Sequence, residues 1–115
     1  MGIKPTVEVE QAPLSEMKQR AKESLSRNPR YNVIGSSAMM ADGKNFFPCT
    51  KGTGPKDNFV LYVEVLPDGS PGQMAAEPMN DTAKCFEQAA AKSRYATPPG
   101  SYVLRVQMNF KPSAS

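Results

Sequence analysis

The sequence predicts an α+β fold in which a small antiparallel sheet packs against two helices. Residues 59–66, "FVLYVEVL", are mostly β-branched, aromatic or aliphatic, and residues 102–110 alternate between apolar and polar side chains; both patterns are typical of strands. Apolar residues three and four positions apart predict helices at residues 14–25 and 80–93. Because a short turn links the first strand to the next, we expect an antiparallel sheet covered by helices.

The length of 115 residues corresponds to one domain. We expect residues 1–12 to form a flexible N-terminal segment, residues 13–111 to form the single domain, and residues 112–115 to be a disordered tail. In the first predicted helix Ser15 is the expected N-cap, and Asn28-Pro29 is the expected end because the residue before proline avoids helical backbone angles. The apolar positions of this helix are Leu14, Met17, Ala21 and Leu25.

Residues 31–57 carry the weakest pattern. We expect a short strand at residues 31–34 and a turn at residues 41–44 that joins Met39-Met40 to Phe46-Phe47 as a hairpin. Residues 49–57, "CTKGTGPKD", have the composition of a loop.

The second half of the chain predicts strand, turn, strand, helix and strand. Both faces of residues 59–66 are mostly apolar, which favours a central strand. The turn "PDGS" has Gly69 to take a positive φ, residues 72–79 return as an outer strand, and Pro78 ends the pairing. Asn80, Asp81 or Thr82 caps the next helix, and its inward-facing stripe is predicted to be Phe86, Ala89, Ala90 and Ser93.

The last strand is predicted to have one buried and one wet face. The inward residues are Tyr102, Leu104, Val106, Met108 and Phe110, and the outward ones are Arg105, Gln107 and Asn109.

Composition argues against several classes of function. The 14 Lys and Arg residues outweigh the 11 Asp and Glu residues only slightly and do not cluster, so nucleic-acid binding is not indicated. The absence of His removes the commonest general base, and the spacing of Glu64, Glu77, Asp81 and Glu87 singles out no catalytic pair. We therefore expect no enzyme, no cofactor and no metal site.

Cys49 and Cys85 are the two cysteines of the chain. Two thiols without His cannot complete a zinc site, which leaves a disulfide or two buried thiols. We expect the disulfide, which would tie the loop around Cys49 to the helix around Cys85 and imply an oxidising compartment. The sequence contains no apolar run long enough to cross a bilayer and no signal peptide, so we expect any membrane anchor to lie outside this chain.

Residues 59–110 resemble the C-terminal domain of the TonB energy-transducer family. The similar elements, in order, are "FVLYVEVLPDGSPGQ", "CFEQAAAKSRYATPPG" and "YVLRVQMNF". The family commonly has Trp-Arg-Phe before its prolines, where this chain has Ser93-Arg94-Tyr95. The resemblance implies a non-catalytic periplasmic domain that binds another protein, for example an outer-membrane or other cell-envelope component.

The resemblance also implies a binding mode, in which an extended peptide joins the exposed edge of the sheet as an added strand. We expect the last strand to be that edge, with Tyr102, Leu104, Arg105, Gln107 and Asn109 as partner-binding residues. Because proteins commonly protect sheet edges, the strand could instead be interior or covered by the N-terminal segment. The alternative function is a structural subunit or inhibitor of a secreted or cell-envelope complex that uses residues 42–57 for recognition.

Overall fold

A computed structural model describes residues 9–41 and 46–110. Three strands, β1 (Phe59–Val65), β2 (Pro71–Glu77) and β3 (Tyr102–Met108), form one antiparallel sheet in the order β2-β1-β3. This order confirms the predicted central position of the first strand. A central strand suits its two apolar faces, because both faces need to be covered. The described residues therefore have the predicted α+β architecture.

Helices pack on both faces of this sheet. The described residues form α1 (Leu14–Arg27), α2 (Pro29–Ala41) and α3 (Asp81–Ala91), with short 3-10 turns at Phe47–Thr50 and Pro55–Asp57. The described part of the chain thus has one helix more than the two that were predicted.

The extra helix is α2, so the strand predicted at residues 31–34 and the hairpin from Met39-Met40 to Phe46-Phe47 are wrong. Pro29 suits the first turn of a helix, where its missing N–H is no loss. Asn28 Oδ1 accepts the Tyr31 N–H (3.2 Å), which satisfies a donor at the start of α2. The β-branched pair Val33-Ile34 suggested a strand, yet both side chains lie on the exposed side of this helix. Of the predicted turn, residues 42–44 lie outside the described residues.

The boundaries of α1 follow prediction only in part. The helix ends before Asn28-Pro29, as predicted, but it begins at Leu14 after Pro13 and has no side-chain cap, so the Ser15 cap is wrong. Its buried stripe is Met17, Ala21 and Ser24, whereas Leu25 is 39% exposed. A serine therefore holds the inward position that was assigned to leucine.

The larger core lies between the sheet and the helices α2 and α3. Phe86 of α3 is completely buried. The centroid of its ring lies 5.2 Å from the ring centroids of Phe46 and Phe59 and 6.2 Å from that of Phe110. Asn80 caps α3 by accepting the Ala83 N–H at 2.8 Å. The predicted inward stripe of this helix, Phe86, Ala89, Ala90 and Ser93, is buried as expected.

The smaller core lies under α1, on the opposite face of the sheet. Met17 and Ala21 pack there with Tyr62, Ala75 and Val103. At its margin Arg20 of α1 forms an ion pair with Glu64. Burial alone would raise the pKa of Glu64, but hydrogen bonds from Arg20 and from the Gln73 N–H outweigh it, and the net shift is downward.

A tight turn at Gly69 joins β1 to β2, and Pro78 follows the end of β2. Gly69 has φ +87°, as predicted, and a Cβ there would lie 2.4 Å from the Tyr95 carbonyl oxygen, so glycine meets both a conformational and a steric need. β2 ends at Glu77, before Pro78, which confirms the predicted stop.

Candidate functional site at the outer edge of strand β3

β3 lies at one margin of the sheet and pairs with β1 along its whole length, from Tyr102 opposite Val65 to Met108 opposite Phe59. In an antiparallel pair, alternate residues direct both backbone groups toward or away from the neighbouring strand. Val103 and Arg105 donate their N–H groups to helix side chains rather than to β1. The backbone N–H and C=O groups of the odd-numbered residues of β3 therefore point toward the outer edge of the sheet.

Two side chains latch the first half of this outer edge. Ser24 Oγ of α1 accepts the Val103 N–H at 3.0 Å. Asn32 of α2 accepts the Arg105 N–H at 2.9 Å and donates to the Arg105 carbonyl at 3.3 Å. These bonds occupy the positions that an added strand would use, so this half is protected in the manner common to native sheet edges.

The second half of the edge is open. Gln107 is the next outward residue, and in the part of the chain that the structure describes no group bonds to its backbone N–H or C=O. Beside it lies a shallow groove of about 620 Å³, lined by Ser36 and Ser37 of α2 and by residues 105–109. Ser36 Oγ is buried at this groove without a hydrogen-bond partner among the described residues. Among the described residues, the groove thus lies beside unpaired backbone groups of Gln107, whereas the Ser36 hydroxyl is shielded from solvent.

The predicted partner-binding residues divide into two groups. Tyr102 and Leu104 are buried, with exposures of 3% and 0%, so their side chains belong to the core. Arg105, Gln107 and Asn109 are exposed and line the groove. The structure brings together only these last three at an accessible surface.

Tyr102 holds the start of β3 against the junction of α1 and α2. Its hydroxyl donates to the Asn28 carbonyl at 2.6 Å, and its ring lies edge-on to Tyr31 at 4.7 Å. Burial raises the pKa of both tyrosines, so both hydroxyls stay protonated at neutral pH and act as donors. Tyr31 donates to the Ala96 carbonyl. These contacts fix α2 beside the edge of the sheet.

Gly35 allows α2 to lie close to β3. A Cβ at this position would lie 2.6 Å from the Leu104 Cδ2 atom, which is too close for any unadjusted contact. The lack of a side chain therefore leaves room for the Leu104 side chain against α2, one turn after Asn32.

The opposite edge of the sheet is covered by the N-terminal segment. Met74 of β2 donates its N–H to the Glu10 carbonyl and accepts the Ala12 N–H, both at 3.0 Å. Residues 9–12 belong to the segment that was predicted to be flexible, and residues 1–8 lie outside the described residues. Among the described residues, the segment pairs with β2 at Met74 and makes no backbone bond to β3.

The predicted disulfide between Cys49 and Cys85 is confirmed, with a Cα–Cα distance of 5.6 Å. It joins the 3-10 turn at Phe47–Thr50 to α3. A disulfide is typical of proteins from oxidising compartments outside the cytoplasm.

Sequence reasoning missed the two latch residues. Ser24 lies three residues after Ala21 and seven after Met17, so its inward position was readable from the spacing. Asn32 was assigned to a strand, which hid its role.

Within residues 9–41 and 46–110, no group of three or more Cys, Asp or Glu side chains is placed to hold a metal ion. Among the helices described, none has both the length and the apolar character needed to span a membrane.

Comparison with other proteins assigns no family. No protein-family model, no curated protein and no solved structure matches this chain.

Proposed function

We propose that this chain is a non-catalytic protein-interaction domain that binds an extended peptide by strand addition at the outer edge of β3. The observation that supports this most strongly is that, within residues 9–41 and 46–110, the N–H and C=O of Gln107 have no partner and lie beside the groove at Ser36 and Ser37. Backbone groups of this kind give affinity in strand addition, and neighbouring side chains give selectivity.

The latch sets the register of the proposed complex. Ser24 and Asn32 already bond to the outward backbone groups of Val103 and Arg105. The peptide therefore pairs at Gln107 and continues toward Asn109. Each hydrogen bond contributes about 0.5 to 1.5 kcal/mol net, so pairing at one outward residue gives modest affinity. A longer paired stretch requires Asn32 to exchange its bonds with Arg105 for bonds within the complex.

The Arg105 side chain favours an acidic peptide. It is exposed, and within the described residues it forms no ion pair. The chain carries a net charge of +3, which mildly favours an acidic partner. An acidic residue at the end of the added strand that lies next to Arg105 would pair with its guanidinium and so favour one direction and register.

We further propose a periplasmic location, with a cell-envelope protein as the partner and with membrane association only through an anchor outside this chain. The disulfide supports an oxidising compartment. The finer assignment rests on the resemblance to TonB C-terminal domains.

A pair of substitutions at Gln107 tests strand addition. Extended peptides are first selected from a displayed random library on the wild-type protein, and their affinities are then measured on Gln107→Pro and Gln107→Ala. Proline removes the outward N–H and is tolerated at edge positions whose N–H faces solvent, so its peptide affinity is expected to fall by about tenfold or more. Alanine keeps the backbone and is expected to change affinity by less than about threefold.

The alanine variant is the control for the proline variant, because both lose the Gln107 side chain and only proline loses the N–H. Thermal unfolding of both variants must occur at temperatures close to that of the wild type. Equal affinities for proline and alanine variants that are both folded would contradict pairing at Gln107.

One observation favours the alternative function, a structural or inhibitory subunit that recognises its partner through residues 42–57. Phe47 is 77% exposed and lies in the 3-10 turn that the disulfide fixes to α3. A rigid, exposed aromatic ring is a typical anchor for a protein interface. Selected peptides that lose affinity on Phe47→Ser but keep it on Gln107→Pro would favour this second function.

A further inference from the structure

A second pocket lies at the opposite edge of the sheet. It has a volume of about 530 Å³ and is bounded by the N-terminal segment, β2 and α3. Its walls are mainly apolar, and its lining includes Val9, Leu14, Ala75, Ala76 and Met79. It shares no residue with the groove beside β3.

Glu87 of α3 lines this pocket and is only 3% exposed. One carboxylate oxygen, Oε1, accepts a hydrogen bond from Gln11 Nε2 at 2.6 Å. The other, Oε2, is buried and has no partner among the described residues. A buried carboxylate with one neutral donor is costly, and burial raises the pKa of Glu87, with the Gln11 bond offsetting part of that rise.

No basic side chain of the described chain neutralises this carboxylate. Lys84 precedes Glu87 by three positions on α3 and lines the same pocket, but it is exposed, and the described residues show no ion pair between the two. Lys84 and Glu87 are the charged residues of the lining. Among the described residues, the Glu87 carboxylate therefore has no positively charged partner.

We propose that this pocket is a second binding site, which takes an arginine side chain of a partner protein flanked by apolar residues. The guanidinium presents several N–H donors in a planar fork, matching the two oxygens of a carboxylate, and it loses less hydration on burial than an ammonium group. The apolar walls accept the methylene stem and the neighbouring apolar side chains.

Gln11 acts as the removable cover of this site. Gln11 is exposed, so its amide can leave Glu87 when a stronger donor arrives. The guanidinium brings a positive charge and a second N–H donor for Oε2, and the neutral Gln11 amide supplies neither to that oxygen.

The test is a titration of the isotope-labelled full chain, followed by amide chemical shifts, with the peptide acetyl-Leu-Arg-Leu-amide. The matched probe replaces arginine with citrulline, which has nearly the same shape and no charge. We expect the arginine peptide to shift amides near Gln11, Ala75 and Gln88, and the citrulline peptide to bind at least about tenfold more weakly.

The protein variants are Glu87→Gln and, as control, Glu23→Gln. Both remove one negative charge, but Glu23 is exposed on α1 and lies outside the pocket. Glu87→Gln is expected to weaken the arginine peptide by about tenfold or more, and Glu23→Gln to leave it unchanged within about twofold. Because Glu87→Gln removes a buried charge, it is expected to unfold at no lower temperature than the wild type.

The proposal would be overturned by equal affinity for the two peptides, by unchanged affinity on Glu87→Gln, or by no shift at about 10 mM peptide. Shifts confined to residues 105–109 would also overturn it, since they would assign the peptide to the groove beside β3. The inference stands apart from strand addition, because the two sites have different reporter residues and different test variants.

Discussion

Replacing Phe86 with alanine is expected to lower the free energy of unfolding by about 3 to 5 kcal/mol, the range for a large buried aromatic side chain. Phe86 is 0% exposed and contacts the rings of Phe46, Phe59 and Phe110. Its loss leaves a cavity where α3, β1 and the end of β3 meet. Urea unfolding measured by circular dichroism gives the difference directly.

The matched control is Phe47→Ala, which removes the same side chain from a position that is 77% exposed. It is expected to cost less than about 0.5 kcal/mol. Should Phe86→Ala fail to fold, Phe86→Leu provides a smaller loss of about 1 to 2 kcal/mol that can still be measured. A cost below about 1 kcal/mol for Phe86→Ala would mean that this aromatic cluster is not the centre of the core.

Removing the disulfide is expected to have the next largest effect. Cys49 and Cys85 are separated by 36 positions, and the chain-entropy model gives about 3 to 4 kcal/mol for a loop of that length. The variant Cys49→Ser/Cys85→Ser is therefore expected to unfold at a clearly lower urea concentration than the oxidised wild type.

A reductant provides the control for this comparison. Dithiothreitol is expected to destabilise the wild type by a similar amount and to leave the double-serine variant unchanged. If the oxidised wild type and the double-serine variant unfolded at the same urea concentration, the bridge would add nothing to stability and its role would have to lie elsewhere.

The second half of the fold was predictable because its signals are local. Residues 59–65 are apolar on both faces, Gly69 permits the turn, and Pro78 ends the outer strand. None of these inferences needs knowledge of distant residues. The prediction for the first half failed where local preference and tertiary context disagree. Val33-Ile34 favours a strand by composition but lies in α2.

The candidate site was predictable only in part. The alternation of apolar and polar residues correctly placed the side chains of Arg105, Gln107 and Asn109 on the exposed face, because side-chain alternation follows from strand geometry alone. The Ser24 and Asn32 latches could not be foreseen, since they join residues 79 and 73 positions apart. Glu87 was one of four acidic residues whose spacing singled out no pair, and its contact with Gln11 joins residues 76 positions apart.

In the described structure β3 is latched at Val103 and Arg105 and open at Gln107, and amide hydrogen exchange of the free protein measures this difference residue by residue. We expect slow exchange at Val103 and Arg105 and fast exchange at Gln107. Ser24→Ala is expected to speed exchange at Val103 far more than at Arg105. If Gln107 exchanged as slowly as Val103, the outer edge of β3 would be closed and no position would remain for an added strand.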